Sequence, residues 1–82
     1  MQCKYIVIDG IMAVIFSDLM VHAEVAAGLR RYGKVTGAGF VSIGANNYEL
    51  EVTPYGRSES LDIDSNKEED TAAIKRALGR ID

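Results

Sequence analysis

His22 is the only histidine in this chain of 82 residues, and its imidazole is the side chain best suited to acid–base chemistry near neutral pH. Asp18 lies four residues earlier, so in a helix the two side chains share a face and the carboxylate could orient the ring. The same spacing also fits a helix in which Asp18 caps the first turn and His22 flanks an apolar stripe. No nucleophile or second base accompanies the pair, which favours the capping interpretation.

A second group of polar residues has the alternating oxygen donors of a calcium-binding loop. Its members are Asp62, Asp64, Asn66 and Glu68. The match fails at two positions, because Lys67 stands where such a loop needs glycine and Ala73 where it needs a bidentate glutamate. Outward strand positions followed by a helix cap explain these residues better, and we expect no metal and no cofactor.

The densest basic cluster is a candidate anion contact and consists of Arg30, Arg31 and Lys34. With Tyr32 among them, these residues could hold a phosphate or a nucleic-acid backbone. They are also typical of the end of a helix, where positive charge complements the helix dipole. The net charge of −3 argues against general nucleic-acid binding, which requires a basic field.

The N-terminal third predicts a β-hairpin that is apolar on both faces. Asp9-Gly10 between two apolar runs is typical of a two-residue turn with positive φ at both positions, which would pair Ile8 with Ile11. One face then carries Ile6, Ile8, Ile11, Ala13 and Ile15. The other face, a candidate interface, carries Tyr5, Val7, Met12, Val14 and Phe16. Because neither face is polar, we expect cover on both sides.

A helix is expected after this hairpin. Ser17-Asp18 can cap it, and the apolar stripe runs along Val21, Val25, Gly28, Leu29 and Tyr32. A third strand over 34–43 contains the strip Gly37-x-Gly39, against which we expect Gly28 to pack.

The C-terminal half predicts two further strands, over 48–53 and 57–64, and a second helix. Ser65-x-x-Glu68 is a capping box for that helix, whose apolar positions include Ile74, Leu78 and Ile81. The order is therefore ββαβββα. We predict an α+β fold, a two-layer arrangement in which an antiparallel sheet of four to five strands carries two helices on one face.

Length and composition bound the organisation of the chain. Its 82 residues correspond to a single α+β domain over 1–82. One cysteine, Cys3, allows no internal disulfide and favours a cytoplasmic setting. No apolar run is long enough for a membrane helix, so we expect no membrane contact.

Surplus apolar surface on the sheet predicts a partner. Two helices cover about one face of such a sheet, so the hairpin's second face should meet another molecule, most simply in a homodimer. Tyr55 and Arg57, beside the Pro54-Tyr55-Gly56 turn, are residue types enriched at interfaces.

Two classes of function follow from these patterns. The first is a small non-catalytic binding or assembly module, acting as a homo-oligomer or by contacting another protein. The alternative is a small enzyme or small-ligand binder, with a pocket near Asp18, His22 and the Gly37/Gly39 strip. A concave pocket that holds His22 would favour the second class.

Overall fold

Six strands and two helices make up the part of the chain that the computed structural model describes, residues 2–46 and 49–79. The strands are β1 (Gln2–Ile8), β2 (Met12–Phe16), β3 (Val35–Asn46), β4 (Glu49–Tyr55), β5 (Arg57–Ser58) and β6 (Ile63–Asp64). The helices are α1 (His22–Gly28), which a 3-10 turn at Arg30–Tyr32 follows, and α2 (Lys67–Leu78). In this part of the chain, neither helix is long and apolar enough to cross a membrane.

The α+β prediction is confirmed. Four strands form an antiparallel sheet in the order β2-β1-β3-β4. The predicted fifth strand over 57–64 is instead a small hairpin of β5 and β6, because Asp62 turns the chain with a φ of 56°. The element order otherwise matches ββαβββα. Tyr48 and Ile81, predicted as apolar positions of a strand and a helix, lie outside the described residues.

The two helices lie on opposite faces of the sheet, which differs from the expected placement on one face. Tyr5 and Val7 of β1 pack with Ile74 of α2. Ile6 and Ile8, which alternate with them, lie in a second cluster with residues of α1 and of the β5–β6 hairpin. Because β1 is apolar and buried on both sides, each face needs its own cover, as the hairpin pattern indicated.

The pairing of β1 with β2 is shifted by one residue from the predicted register. Ile8 pairs with Met12, so Asp9, Gly10 and Ile11 all lie in the turn. The φ angles of Asp9 (53°) and Gly10 (68°) are positive, as expected, and the Ile11 N–H donates to the Ile8 carbonyl at 3.0 Å. Side chains of a strand alternate between its two faces. Because of the extra turn residue, each β2 side chain therefore lies on the face of the sheet opposite to the predicted one.

The first residues of the predicted first helix, up to Val21, form a loop. Val21 rather than Ser17 or Asp18 occupies the N-cap position, and its own side chain makes no capping hydrogen bond. The Ser17 hydroxyl instead accepts a hydrogen bond from the Leu19 N–H at 3.1 Å. Tyr32, expected on the inward stripe, is 52% exposed in the 3-10 turn.

The glycine strip of β3 does not receive Gly28, which lies in open space on the surface of α1. A Cβ at Gly37 would collide with the carboxylate of Asp70 from α2. A Cβ at Gly39 would lie 2.7 Å from the Tyr55 carbonyl oxygen. The strip therefore admits a buried carboxylate and the backbone of β4, not a second glycine.

Helix α2 begins one residue later than the predicted capping box. Asn66 is the N-cap: its Oδ1 accepts from the Glu69 N–H at 3.2 Å, and its Nδ2 donates to the Glu69 carboxylate at 3.0 Å. Ser65, the predicted cap, donates from its hydroxyl to the Gly56 carbonyl at 2.8 Å. The arrangement at the N-cap differs from a capping box, because the Asn66 backbone N–H donates to the Asp70 carboxylate at 2.8 Å rather than to Glu69.

Candidate functional site

Strand β2 forms one edge of the sheet and is composed entirely of uncharged, apolar residues. It pairs with β1 on one side, and no other strand in the described ranges pairs with it. In an antiparallel ladder, alternate residues direct their N–H and C=O groups away from the partner strand, so this edge presents unpaired backbone groups. Such an edge is suited to receive another strand.

An apolar groove runs beside this edge, between β2 and α2. Its lining comprises Ile11, Met12, Ala13, Ala73, Arg76 and Ala77. Ile11 is 60% exposed and Met12 is 40% exposed, so large side chains face solvent at the point where the edge strand starts. The only charged member, Arg76, donates to the Ile11 carbonyl at 3.4 Å.

The opposite edge of the sheet, β4, has a different character. Glu49 and Glu51 are exposed charges on this strand, and Pro54 removes one backbone donor from it. Charged side chains and proline are common means by which proteins protect edge strands from unwanted pairing. The sheet therefore has one protected edge and one unprotected edge.

A second concave site lies on the face that α1 covers, between the start of α1 and the β5–β6 hairpin. This cleft has a volume of about 330 Å³. Its lining comprises Lys4, Val21, His22, Phe40, Arg57, Glu59 and Ser60. A volume of this size is at the lower end of the ~300–1,000 Å³ that is usual for ligand sites.

His22 forms the deep wall of this cleft and is only 4% exposed. Its Nε2 lies 2.8 Å from the Gly39 carbonyl oxygen; since a carbonyl can only accept, Nε2 carries the proton. The ring meets Phe16 and Phe40 edge-on, at centroid distances of 5.5 and 6.0 Å. These contacts hold the imidazole in one orientation.

Asp18 is not the partner of His22, contrary to the proposed acid–base pair. It is exposed in the loop before α1, so the two residues do not share a helical face. Gly37 is also separate from the cleft, because it faces the Asp70 carboxylate of α2. Of the expected pocket residues, the structure brings together only His22 and the backbone of Gly39.

The candidate interface residues do not form one surface, because the register shift separates them. Tyr5 and Val7 are fully buried beneath α2. Val14 and Phe16 are half-buried on the opposite face, while Met12 remains exposed at the sheet edge. Only Met12 is therefore accessible as part of the β2 edge.

Tyr55 and Arg57 lie near the cleft instead. Tyr55 stacks on Phe40 at a centroid distance of 5.8 Å and an interplanar angle of 24°. Arg57 is bound by three carboxylates, those of Glu59 at 3.2 Å, Asp64 at 2.9 Å and Asp62. The hydrogen bonds with Asp62 and Asp64 raise the pKa of the guanidinium.

These bonds also account for the acidic residues that suggested a calcium loop. Asp62 and Asp64 face Arg57, whereas Asn66 caps α2. Across residues 2–46 and 49–79, no group of three or more histidine, cysteine or acidic side chains is arranged to hold a metal.

The three cations of the basic cluster, Arg30, Arg31 and Lys34, lie in two different places. Arg30 and Lys34 line a shallow groove beside Val35 and Leu61. Arg31 instead lies over the Tyr32 ring, 5.1 Å from its centroid, and donates to the Tyr32 hydroxyl at 3.3 Å. The three cations therefore do not converge on one anion site.

Tyr5 and Asp70 form a buried pair on the face of the sheet that α2 covers, and the sequence did not predict this pair. The Tyr5 hydroxyl donates to the Asp70 carboxylate, which also accepts from the Asn66 N–H at 2.8 Å. Asp70 is 2% exposed. Burial, reinforced by the neighbouring Asp70, raises the pKa of the Tyr5 hydroxyl well above its usual range. A glycine at position 37, which leaves room for a polar group, is the one sequence signal for this pair.

Comparison with known proteins adds no relative to this picture. No protein-family model matches the chain, and no characterised protein or solved structure is similar enough to it to count as a match. The surface features of the chain are therefore the basis for any functional conclusion.

Proposed function

We propose that this protein is a small non-catalytic binding module that works as a homodimer, in which β2 pairs antiparallel with β2 of a second copy. The observation that carries this proposal is the uncharged apolar edge strand, with unpaired backbone groups and exposed Ile11 and Met12 beside it. Such pairing would join two four-stranded sheets into a continuous one.

Charge favours a second copy at this edge. Each chain has a net charge of −3, so two copies repel one another in most orientations. Strand β2 carries no charge, and the one ionic side chain in the neighbouring groove, Arg76, is positive. Contact across β2 therefore keeps the acidic surfaces apart.

Symmetry also favours this mode. Antiparallel pairing of two identical strands has a two-fold axis, and a two-fold contact closes after two subunits. Strand β4 is less suited to such pairing, because it carries the exposed charges of Glu49 and Glu51, and registers that bring these residues opposite their copies in the partner are repulsive.

A matched pair of variants tests the proposal. Met12→Lys introduces a charge at the unprotected edge, and Leu50→Lys introduces the same charge at an exposed apolar position of β4. In light scattering after size exclusion, we expect the wild type and Leu50→Lys to be dimers. Met12→Lys should be a folded monomer, with its circular dichroism unchanged.

The other outcomes are equally informative. A wild-type protein that is monomeric at ~100 μM would contradict the homodimer. The β2 edge would then be a candidate site for a strand of another protein. A dimer that Leu50→Lys disrupts and Met12→Lys does not would place the interface at the other edge.

A reducing, cytoplasmic setting is part of the same proposal. Its support is that the single cysteine, Cys3, is a free thiol in a half-buried position of β1. A chain without disulfides is typical of such compartments. Localisation of a tagged copy in its native host is the measurement that decides it.

The alternative, a small-ligand binder, is favoured by one observation, the cleft beside His22. The imidazole is fixed by its hydrogen bond to Gly39, and the hydrogen bonds of the described residues join it to neither Glu59 nor Ser60, which also line the cleft. These contacts support binding there rather than catalysis.

A further inference from the structure

The cleft beside His22 combines an aromatic surface with a cation that forms no ion pair with any carboxylate of residues 2–46 and 49–79. Its apolar part consists of the Phe40 ring, stacked on Tyr55, and Val21, which is 42% exposed. Phe40 is held by edge-on contact with His22 on one side and by stacking on the other. A fixed, partly exposed ring of this kind is suited to contact a planar apolar group.

The charge in the cleft is concentrated on Lys4. Its Nζ donates to the Met20 carbonyl at 2.8 Å and lies 5.9 Å from the centroid of the Phe40 ring. The ion pairs among the described residues all involve Arg57, so Lys4 takes part in none of them. An ammonium group has three donors, and only one of them is used by Met20.

The other charged groups beside the cleft form one ion-pair group, in which the single cation of Arg57 faces three carboxylates. Arg57 is paired with Glu59, which also lines the cleft, and with two aspartates outside it. Ser60 contributes a hydroxyl whose oxygen accepts from the Ala23 N–H at 3.1 Å and lies 3.5 Å from the Ser58 hydroxyl oxygen, a contact in which either serine can donate. When Ser58 is the donor, the Ser60 proton can be donated to a ligand. In the described part of the chain, Lys4 is therefore the cation of the cleft that forms no ion pair, and it lies at a cleft that also contains the Ser60 hydroxyl and the Phe40 ring.

We propose that this cleft binds a small aromatic carboxylate. The carboxylate lies on the Lys4 ammonium and the Ser60 hydroxyl, and the ring of the ligand packs on Phe40 and Val21. The proposal is independent of the homodimer, because the cleft lies beside α1 and the β5–β6 hairpin, whereas the dimer edge is β2.

Benzoate is the probe, and benzamide, which has nearly the same shape without the charge, is its control. In ¹H–¹⁵N NMR titrations, benzoate should shift the amide signals around Val21, Phe40 and Ser60 saturably, at concentrations up to about 10 mM. Benzamide should bind at least about tenfold more weakly, since a hydrogen bond to a charged group is stronger than a neutral one. Acetate, which lacks the ring, should also bind more weakly.

Lys4→Met retains most of the apolar stem of the side chain and removes the charge. We expect it to weaken benzoate binding about tenfold and to leave benzamide binding unchanged. Lys34→Met is the matched control, because Lys34 is exposed and lines a different groove. Lys4→Arg should retain binding within a few-fold, which separates loss of the charge from loss of the fold.

Three results would overturn the proposal. They are equal affinity for benzoate and benzamide, benzoate shifts that are absent or scattered over the surface, and Lys4→Met binding that matches the wild type. None of them affects the oligomeric state, so failure here leaves the homodimer proposal intact.

Discussion

The Tyr5 hydroxyl and the Asp70 carboxylate connect β1 to α2 through a buried polar contact. A buried carboxylate is costly unless it accepts hydrogen bonds, and Asp70 accepts from both Tyr5 and the Asn66 backbone. In the sequence, Asp70 follows Glu68 and Glu69 in the first turn of α2, where acidic residues favour a helix start. Nothing local to it indicates a partner 65 residues away.

We predict that stability decreases as pH rises above the ordinary tyrosine pKa of 10.0. Below this pH, Tyr5 is protonated in both states and its contribution is complete. Above it, the unfolded chain releases the proton while the folded state retains it, so unfolding becomes more favourable by up to about 1.4 kcal/mol per pH unit. Urea denaturation at several pH values between about 8 and 11 measures this slope.

Tyr5→Phe is the variant that isolates this contribution. It should lower the free energy of unfolding by about 1–3 kcal/mol at neutral pH, because Asp70 loses a donor in a buried position. It should also show a smaller alkaline slope than the wild type. Tyr32→Phe, at an exposed tyrosine, is the control, and equal slopes in wild type and Tyr5→Phe would contradict the account.

The two glycines that sequence analysis placed against each other should respond oppositely to alanine. Gly37→Ala forces a methyl group against the Asp70 carboxylate and should destabilise the fold by about 1–3 kcal/mol. Gly28→Ala meets no atom within 4 Å at the end of α1 and should stabilise it by about 0.4–1 kcal/mol. Thermal denaturation of both variants measures the contrast. If Gly28→Ala destabilised the protein, Gly28 would be closely packed, as the sequence predicted, and not in open space.

At the element scale, local patterns predicted the type of most elements, and their relative placement was harder to predict. The α+β class follows from strand and helix periodicity, which each segment carries by itself. The β1–β2 register does not, because a turn of two residues and a turn of three both accommodate Asp9-Gly10. With apolar residues on both faces, no polar position of β2 distinguishes the two registers.

The helix starts illustrate the same limit. Ser65 and Asn66 are both good N-cap residues, and each has an acidic residue three positions later, so the choice between them depends on tertiary contacts. Ser65 is engaged by Gly56 of the preceding turn, which leaves Asn66 as the cap. Likewise Ser17-Asp18 is a good cap locally, yet the chain continues as a loop to Val21.

We predict that Asn66→Ala lowers stability by about 1 kcal/mol, because the Glu69 N–H loses its acceptor. Asn66→Asp should retain most of the stability, since a carboxylate also accepts this bond and suits the helix dipole. Chemical denaturation compares the two variants. Equal stability of Asn66→Ala and the wild type would show that the cap contributes nothing.

At the scale of the whole molecule, the placement of the helices changes where a partner surface can lie. The sequence predicts a homodimer because one apolar face of the sheet would lack cover. In the structure both faces are covered, one by α1 and the other by α2. The proposal therefore shifts from the face of the sheet to its β2 edge. The candidate small-ligand site also shifts, from Asp18 and the glycine strip to the cleft that holds Lys4 and His22.

The most direct test of this account is amide hydrogen exchange of β2 as a function of protein concentration. When β2 pairs with a second copy, its outward N–H groups become hydrogen-bonded. Their exchange should then slow markedly between about 1 μM and 500 μM, while β4 exchanges at the same rate throughout. Exchange of β2 that is independent of concentration, in a protein that remains monomeric, would contradict the homodimer.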